Sequence, residues 1–228
     1  DSEIELKEEN ALSLLRNHLR EYGSKIAAFI LEPLVQGASG MRMCRPEFLV
    51  KLIAEVREHK ILVIFDEVMT GFSRTGSYFA MSQIGVIPDL LCLSKGITGG
   101  FLPLALTVTT NTIYEAFLSN DWNMAFAHGH SYTANPLACA AAIASLKLIK
   151  QADTQNAIKS IHESHKKGMS TLQSNCSNIE HTRILGTISA FDIKNDSNLI
   201  TKLKKRFLEE GLLIRPLGNT IYLLPPYS

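Results

Sequence analysis

The sequence predicts an α/β chain: a mostly parallel, helix-covered sheet within residues 1–150, followed by a smaller α+β domain over 151–228. Three observations predict it. Apolar runs of strand length at 26–31, 61–65 and 90–93 alternate with segments of helical periodicity, the signature of strands joined by crossover helices. A glycine-rich stretch, KGITGG, follows the third run and leads into LPLALTVTT, whose threonines and valine favour another strand. After Gln151 the pattern changes to a polar helix and then to short strand-like runs around a second helix.

The elements follow in order. Leu12, Leu15 and Leu19 lie near helical spacing and precede the buried strand at 26–31. In RPEFLVKLIAEVREHK the proline suits a first helical turn, and Phe48, Leu49, Leu52, Ile53 and Val56 share a face ahead of the strand at 61–65. Residues 135–150 are alanine-rich and helical, and are expected to be buried. The C-terminal part reads as a helix to about Asn175, a strand around 184–193, a helix around 199–210, and two short strands ending at Pro225 and Pro226.

Composition narrows the function. In the 228 residues, 23 basic side chains face 22 acidic ones, so no electrostatic footprint points to nucleic acid or an anionic membrane, and a small-molecule site is the expectation. The hydrophobic content of 46% supports a real core. Cys44, Cys92, Cys139 and Cys176 are scattered without CxxC spacing, which suggests a reducing, cytosolic setting. No apolar run has the length of a membrane span, and the acidic start DSEIELKEEN is unlike a signal peptide. The chain begins at Asp1 rather than at methionine, as a processed or partial chain would.

Two charged residues close apolar strands: Asp66 in FDEVMTGFSRTG and Lys95 in PDLLCLSKGITGG. In open α/β sheets ligands bind beyond the carboxyl ends of the strands, so the two can face one crevice. A lysine that attacks a carbonyl must be neutral part of the time, which the end of an apolar strand favours. Gly96, Gly99 and Gly100 leave room for close approach to the backbone. Taken singly, Asp66 with Glu67 also reads as a polar turn, and Lys95 as a solvated lysine.

Taken together, ILEP, FDEVMTGFSRTG, PDLLCLSKGITGGFLPLA, HGHSYTANPLACAAA and IRPLGNTIYLLPPY resemble, in this order, the class III aminotransferases, pyridoxal-phosphate enzymes of fold type I. Within the class, QGASGMRM, LCLSKGITGG and RPLGNTIYLLPPY look most like the branch that makes 7,8-diaminononanoate for biotin, from S-adenosylmethionine and 8-amino-7-oxononanoate. The resemblance implies that Asp66 pairs with the pyridine nitrogen, Lys95 forms the Schiff base with pyridoxal 5'-phosphate and moves the proton, and Val68 stacks under the ring. It gives Ser131 to the cofactor phosphate of a neighbouring subunit, hence a homodimer. Arg215 is matched to the arginine that binds the keto-acid carboxylate; Tyr222, in the same motif, is expected to touch substrate or shape its pocket, with a buried structural tyrosine equally open, and Gly129 is expected among the substrate-binding residues.

Met69 stands where many class III members carry glutamine, and His130 where the branch usually has proline. His128 and His130 lack a nearby third ligand, so no metal is expected. Glu32 is expected to hold the loop after its strand, with Arg74 pairing with it or capping a turn. Other class III donors, such as ornithine or an ω-amino acid, stay open, as does a non-catalytic remnant. The family's Gly/Ser-rich phosphate turn has no counterpart in residues 1–25, so these 228 residues alone are expected to be inactive.

Overall fold

A computed structural model describes residues 2–194 and 197–227 of the chain. They form two compact units: one within residues 2–34, 44–71 and 80–146, the other within 35–43, 72–79, 147–194 and 197–227.

The first unit opens with α1 (Ser2–Tyr22), which begins earlier than its leucine spacing suggests because its first two turns are charged and solvated. Leu12 and Leu19, two turns apart, are the buried positions. Strand β1 (Ala28–Leu31) follows. Helix α2 (Pro46–Glu58) starts at its proline, where a missing N–H costs nothing, and buries Leu49, Ile53 and Val56 along one stripe. Arg16 on α1 donates to Glu55 on α2 at 2.7 Å, and Arg45 donates to Glu8. Strand β4 (Leu62–Asp66), the fourth in chain order, places Val63 and Phe65 in the core. The short helix α3 (Met81–Ile84), β5 (Leu90–Leu93), β6 (Leu106–Thr109) and the short α4 (Asn111–Glu115) complete the run to α5 (Pro136–Ile149).

The sheet order is β1-β4-β5-β6, with β1, β4 and β5 parallel and β6 antiparallel to β5. The mostly parallel α/β expectation is met. Helix α5 differs from expectation. Ala138, Ala142 and Ser145 form its buried stripe, whereas Leu137, Ile143 and Leu148 are exposed. A helix apolar all round gives no period from which to read the covered face.

In the second unit β2 (Val35–Gln36) and β3 (Arg42–Met43) form a two-residue antiparallel ladder. Helix α6 (Ala152–Asn175) precedes a three-stranded antiparallel sheet of β7 (Ile179–Leu185), β8 (Ile188–Ile193) and β9 (Thr220–Leu223), with α7 (Ser197–Glu209) between the last two. Met169, Phe191, Ile193 and Ile221 centre its core. The sequence suggested one strand around 184–193, but there are two, joined at Gly186 and Thr187. Gly186 has φ +56, and a Cβ there would stand 2.2 Å from the backbone carbon of Thr75, so the turn requires glycine. The two short strands expected near the C-terminus are one strand, β9, and an isolated bridge between Leu217 and Thr220.

Arg183 ties this unit together. Its Nε donates to the Met41 carbonyl at 2.9 Å, and one Nη donates to the Gly40 carbonyl and to Asp192 at 2.8 Å. The QGASGMRM turn is thus held by its backbone. Asp192 also accepts from Thr220 at 2.7 Å. Burial pushes the Asp192 carboxyl up, but the Arg183 and Thr220 hydrogen bonds outweigh it and hold the group below its ordinary range. A carboxyl depressed by folding contributes stability above its unfolded pKa, and that contribution is lost as pH falls through the folded value. The difference in unfolding midpoint between wild type and Asp192→Asn should therefore be full at neutral pH and shrink below about pH 4. A pH-independent difference, measured by thermal unfolding between pH 2 and 7, would contradict this. Among the described residues, no helix is long and apolar enough to cross a membrane.

Candidate active site

Parallel pairing of β4 with β5 sets Asp66 beside Cys92 in register, and the Glu67 amide donates to the Cys92 carbonyl at 3.0 Å. Lys95 follows three residues after Cys92, at the start of a 3₁₀ turn, Lys95–Thr98. The two charged residues singled out in the sequence therefore stand at the carboxyl ends of adjacent parallel strands. Both strands are largely apolar as the sheet interior demands; Asp66 is the last residue of β4, and Lys95 stands two residues past the end of β5.

Asp66 is half-buried, and its Oδ1 accepts from the Val68 amide at 3.0 Å. This local bond sets the carboxylate's orientation and brings Val68 into the same turn. The half-buried Cys92 thiol is pushed up, first by burial and then by the Asp66 charge. Lys95 is exposed, with φ +44, a left-handed conformation that costs a non-glycine residue on the order of 1–2 kcal/mol. The surroundings enforce it. Ser94 Oγ donates to the Leu104 carbonyl at 2.8 Å, Thr98 Oγ1 to the Leu102 carbonyl at 2.5 Å, and Ser145 Oγ to the Gly96 carbonyl at 3.2 Å. Gly100, at φ +80, has open space where a Cβ would stand.

The partner acid, Glu67, has a different task, which the sequence did not reveal. It is fully buried, and its two oxygens accept from the Ala80 amide at 2.7 Å and the Met81 amide at 2.8 Å. Its own carbonyl accepts from the Gly71 amide. Glu67 thus joins both ends of the 72–79 excursion. Burial raises its pKa against the pull of these amides, so this group favours the fold most at low pH and loses that contribution as pH rises through its folded value. Glu67→Ala leaves two buried amides without acceptors and should cost about 2–4 kcal/mol. Chemical denaturation would measure it, and a loss under about 0.5 kcal/mol would be inconsistent with the role.

The remaining candidates lie elsewhere in the chain. Gly129, His130 and Ser131 sit in an exposed turn ahead of α5, where the His130 amide donates to Thr133 Oγ1 at 3.0 Å and His130 Nδ1 accepts from the Tyr132 amide at 3.1 Å. Asn135 caps α5 by accepting from the Leu137 and Ala138 amides. Arg215 is exposed between α7 and β9 in the second unit, and Tyr222 is half-buried on β9 opposite Ala190. Arg74 donates to Thr187 Oγ1 and to the Pro225 carbonyl, both at 2.9 Å, and lies over the Tyr227 ring. Among the described residues, no three His, Cys, Asp or Glu side chains gather as a metal would require.

An aspartate and a lysine closing neighbouring parallel strands, the lysine on a strained turn that contains glycine, put an acid and an amine at one end of the sheet, the pair that the resemblance to the aminotransferases calls for. Comparison agrees: the chain belongs to the class III aminotransferases, whose family model matches residues 1–228. It is 47% identical to adenosylmethionine-8-amino-7-oxononanoate aminotransferase of Synechococcus elongatus, over 100% of this chain and 54% of that protein. The Helicobacter pylori enzyme of the same name is 40% identical over 96% of this chain and 52% of its own length. The chain thus spans about half the length of these curated relatives. Among solved structures, a Bacillus anthracis aminotransferase superposes with a TM-score of 0.88 at 26% identity, covering 95% of this chain and 51% of that one. The Methanocaldococcus jannaschii adenosylmethionine-8-amino-7-oxononanoate aminotransferase gives 0.83 at 30% identity, covering 94% and 52%.

Proposed function

We propose that the protein is a pyridoxal-phosphate-dependent aminotransferase that moves an amino group from S-adenosylmethionine to 8-amino-7-oxononanoate, giving 7,8-diaminononanoate in biotin biosynthesis. The observation that carries the reading is the in-register pairing of β4 with β5, which sets Asp66 and Lys95 at one sheet end. The chemistry of this donor set fits the cofactor. A carboxylate suits a pyridinium nitrogen, an amine suits an aldehyde, and Gly99 and Gly100, both in left-handed conformations, keep side-chain bulk away from the turn.

Pyridoxal phosphate, when bound, supplies an aldehyde that takes up the amino group and a ring that withdraws electrons from the substrate carbon. The chain's own residues do the rest. Asp66 keeps a negative charge for the ring nitrogen, held in orientation by the Val68 amide. Lys95 Nζ would hold the cofactor through its aldehyde carbon, and as a free amine would carry the proton from the substrate carbon to the cofactor carbon. Val68 would cover a face of the cofactor ring, and Ser131 would offer its hydroxyl to the cofactor phosphate of a second subunit in a homodimer. Gly129 and Tyr222 shape the substrate pocket, and Arg215 holds the keto-acid carboxylate. Residues 1–150 belong to the cofactor-binding domain in this reading, and 151–228 form the small domain. Four free cysteines are in keeping with a cytoplasmic enzyme.

The test is turnover by the purified protein, made with whatever sequence its gene encodes around these residues, with S-adenosylmethionine and with ornithine as donors. Activity with adenosylmethionine supports the reading, and activity with ornithine alone overturns the donor assignment. Arg215→Lys should raise the keto-acid KM about tenfold or more at little cost in kcat, because an ammonium cannot reproduce the two-point guanidinium contact. A KM equal to wild type in steady-state kinetics would remove Arg215 from this role.

A further inference from the structure

The backbone of Lys95 is itself strained, at φ +44. A side chain keeps this conformation where its surroundings leave no easier one. The turn that carries it, Lys95–Thr98, is a single 3₁₀ turn, flanked by the Ile97 amide on the Ser94 carbonyl and closed by the Gly99 amide on the Gly96 carbonyl. The hydrogen-bond geometry of such turns is poorer than that of an α-helix, so they hold a strained residue weakly by themselves. Two side-chain ties are local: Ser94 reaches the Leu104 carbonyl and Thr98 the Leu102 carbonyl, within the same stretch of chain.

The third tie comes from another element of the same unit. Ser145 lies in the last turns of α5 (Pro136–Ile149), and its Oγ donates to the Gly96 carbonyl at 3.2 Å, across 49 residues. It is buried, and the buried positions before it on the helix are Ala138 and Ala142. The helix comes close to the end of the turn as well, where a Cβ on Gly99 would stand 3.5 Å from Ser145 Oγ. Alanine would fill this third position equally well and is the better helix former, so what serine adds is its hydrogen bond.

We propose that Ser145 is a positioning residue for Lys95, tying the Lys95–Thr98 turn to α5 through the Gly96 carbonyl and so keeping Lys95 in its left-handed conformation. The inference rests on the reading that Lys95 holds the cofactor. A fourteen-residue helix is a firm anchor for a four-residue turn. The strain at one left-handed residue and the net worth of one hydrogen bond are of the same order, so loss of the hydroxyl lets the turn relax.

Ser145→Ala deletes one hydroxyl and suits the helix. Two measurements decide the matter. The first needs no cofactor: in chemical denaturation of wild type, Lys95→Gly, Ser145→Ala and the double variant, the unfolding constants should fail to multiply by about threefold or more. Lys95→Gly stabilises less once the serine hydroxyl is gone, because the turn has already relaxed. In the loaded enzyme, Ser145→Ala should lower kcat about five- to tenfold, through misplacement of the amine, with the keto-acid KM within twofold of wild type. Unfolding constants that multiply within experimental error, or an unchanged kcat, would each overturn the proposal. If Lys95→Ala keeps the absorbance of lysine-bound cofactor, the underlying reading of Lys95 falls instead, while the coupling in stability still stands, and the two failures are told apart.

Discussion

Lys95→Ala is expected to lower transamination on the order of 10⁴-fold and to abolish the visible absorbance of lysine-bound cofactor, with the fold intact. The size of the effect follows from the two tasks that meet at one atom. In the proposed reading Nζ would form the covalent link to the cofactor and the same Nζ would carry the proton of the reaction; neither the strained turn nor its glycines can supply a second amine. Stability should change little, because the side chain is exposed and the turn is held by Ser94, Thr98 and Ser145 through the backbone. Alanine also keeps the left-handed strain at φ +44, whereas Lys95→Gly should relieve it and unfold at a slightly higher temperature. Absorbance titration with pyridoxal phosphate and steady-state turnover check the first claim. An intact lysine-type band in Lys95→Ala would assign the cofactor link to another residue.

The sheet was legible in the sequence because its demands are simple. Val63 and Phe65, then Leu91 and Leu93, are apolar since the interior accepts nothing else, and Asp66 and Lys95 stood out as the charges that end those runs. What escaped depended on non-local neighbours. Glu67 looks like Asp66 in the sequence, and only the return of the chain to Ala80 and Met81 turns it into a buried acceptor. The hairpin of β7 and β8 was read as one strand because Gly186 and Thr187 lie within an apolar stretch. Its glycine answers to Thr75 and not to any residue nearby in sequence. The short ladder of β2 and β3 has two residues a side, too few to show a period. Tyr227 closes a tyrosine-ended motif, but the carbonyl it bonds lies 155 residues earlier.

Asp66→Asn should cut turnover about 10² to 10³-fold while leaving cofactor capture by Lys95 in place. Asparagine keeps an oxygen where Oδ1 accepts from the Val68 amide, so the turn and the fold are preserved, and what disappears is the charge. If Asp66 serves the ring nitrogen as proposed, a neutral amide in its place would not keep that nitrogen protonated, and the ring would withdraw electrons poorly from the substrate carbon. In this reading the step that would suffer is proton removal by Lys95, so a primary isotope effect on kcat from deuterium at the substrate carbon should grow in the variant as that step becomes rate-limiting. Asp66→Ala should show the same kinetic loss together with a drop in stability of about 1 kcal/mol, because it also deletes the acceptor for Val68. The comparison isolates charge from structure. Should Asp66→Asn turn over within threefold of wild type, or should only the alanine variant be slow, Asp66 would be a turn-forming residue and the charge at the end of β4 would have no part in the chemistry.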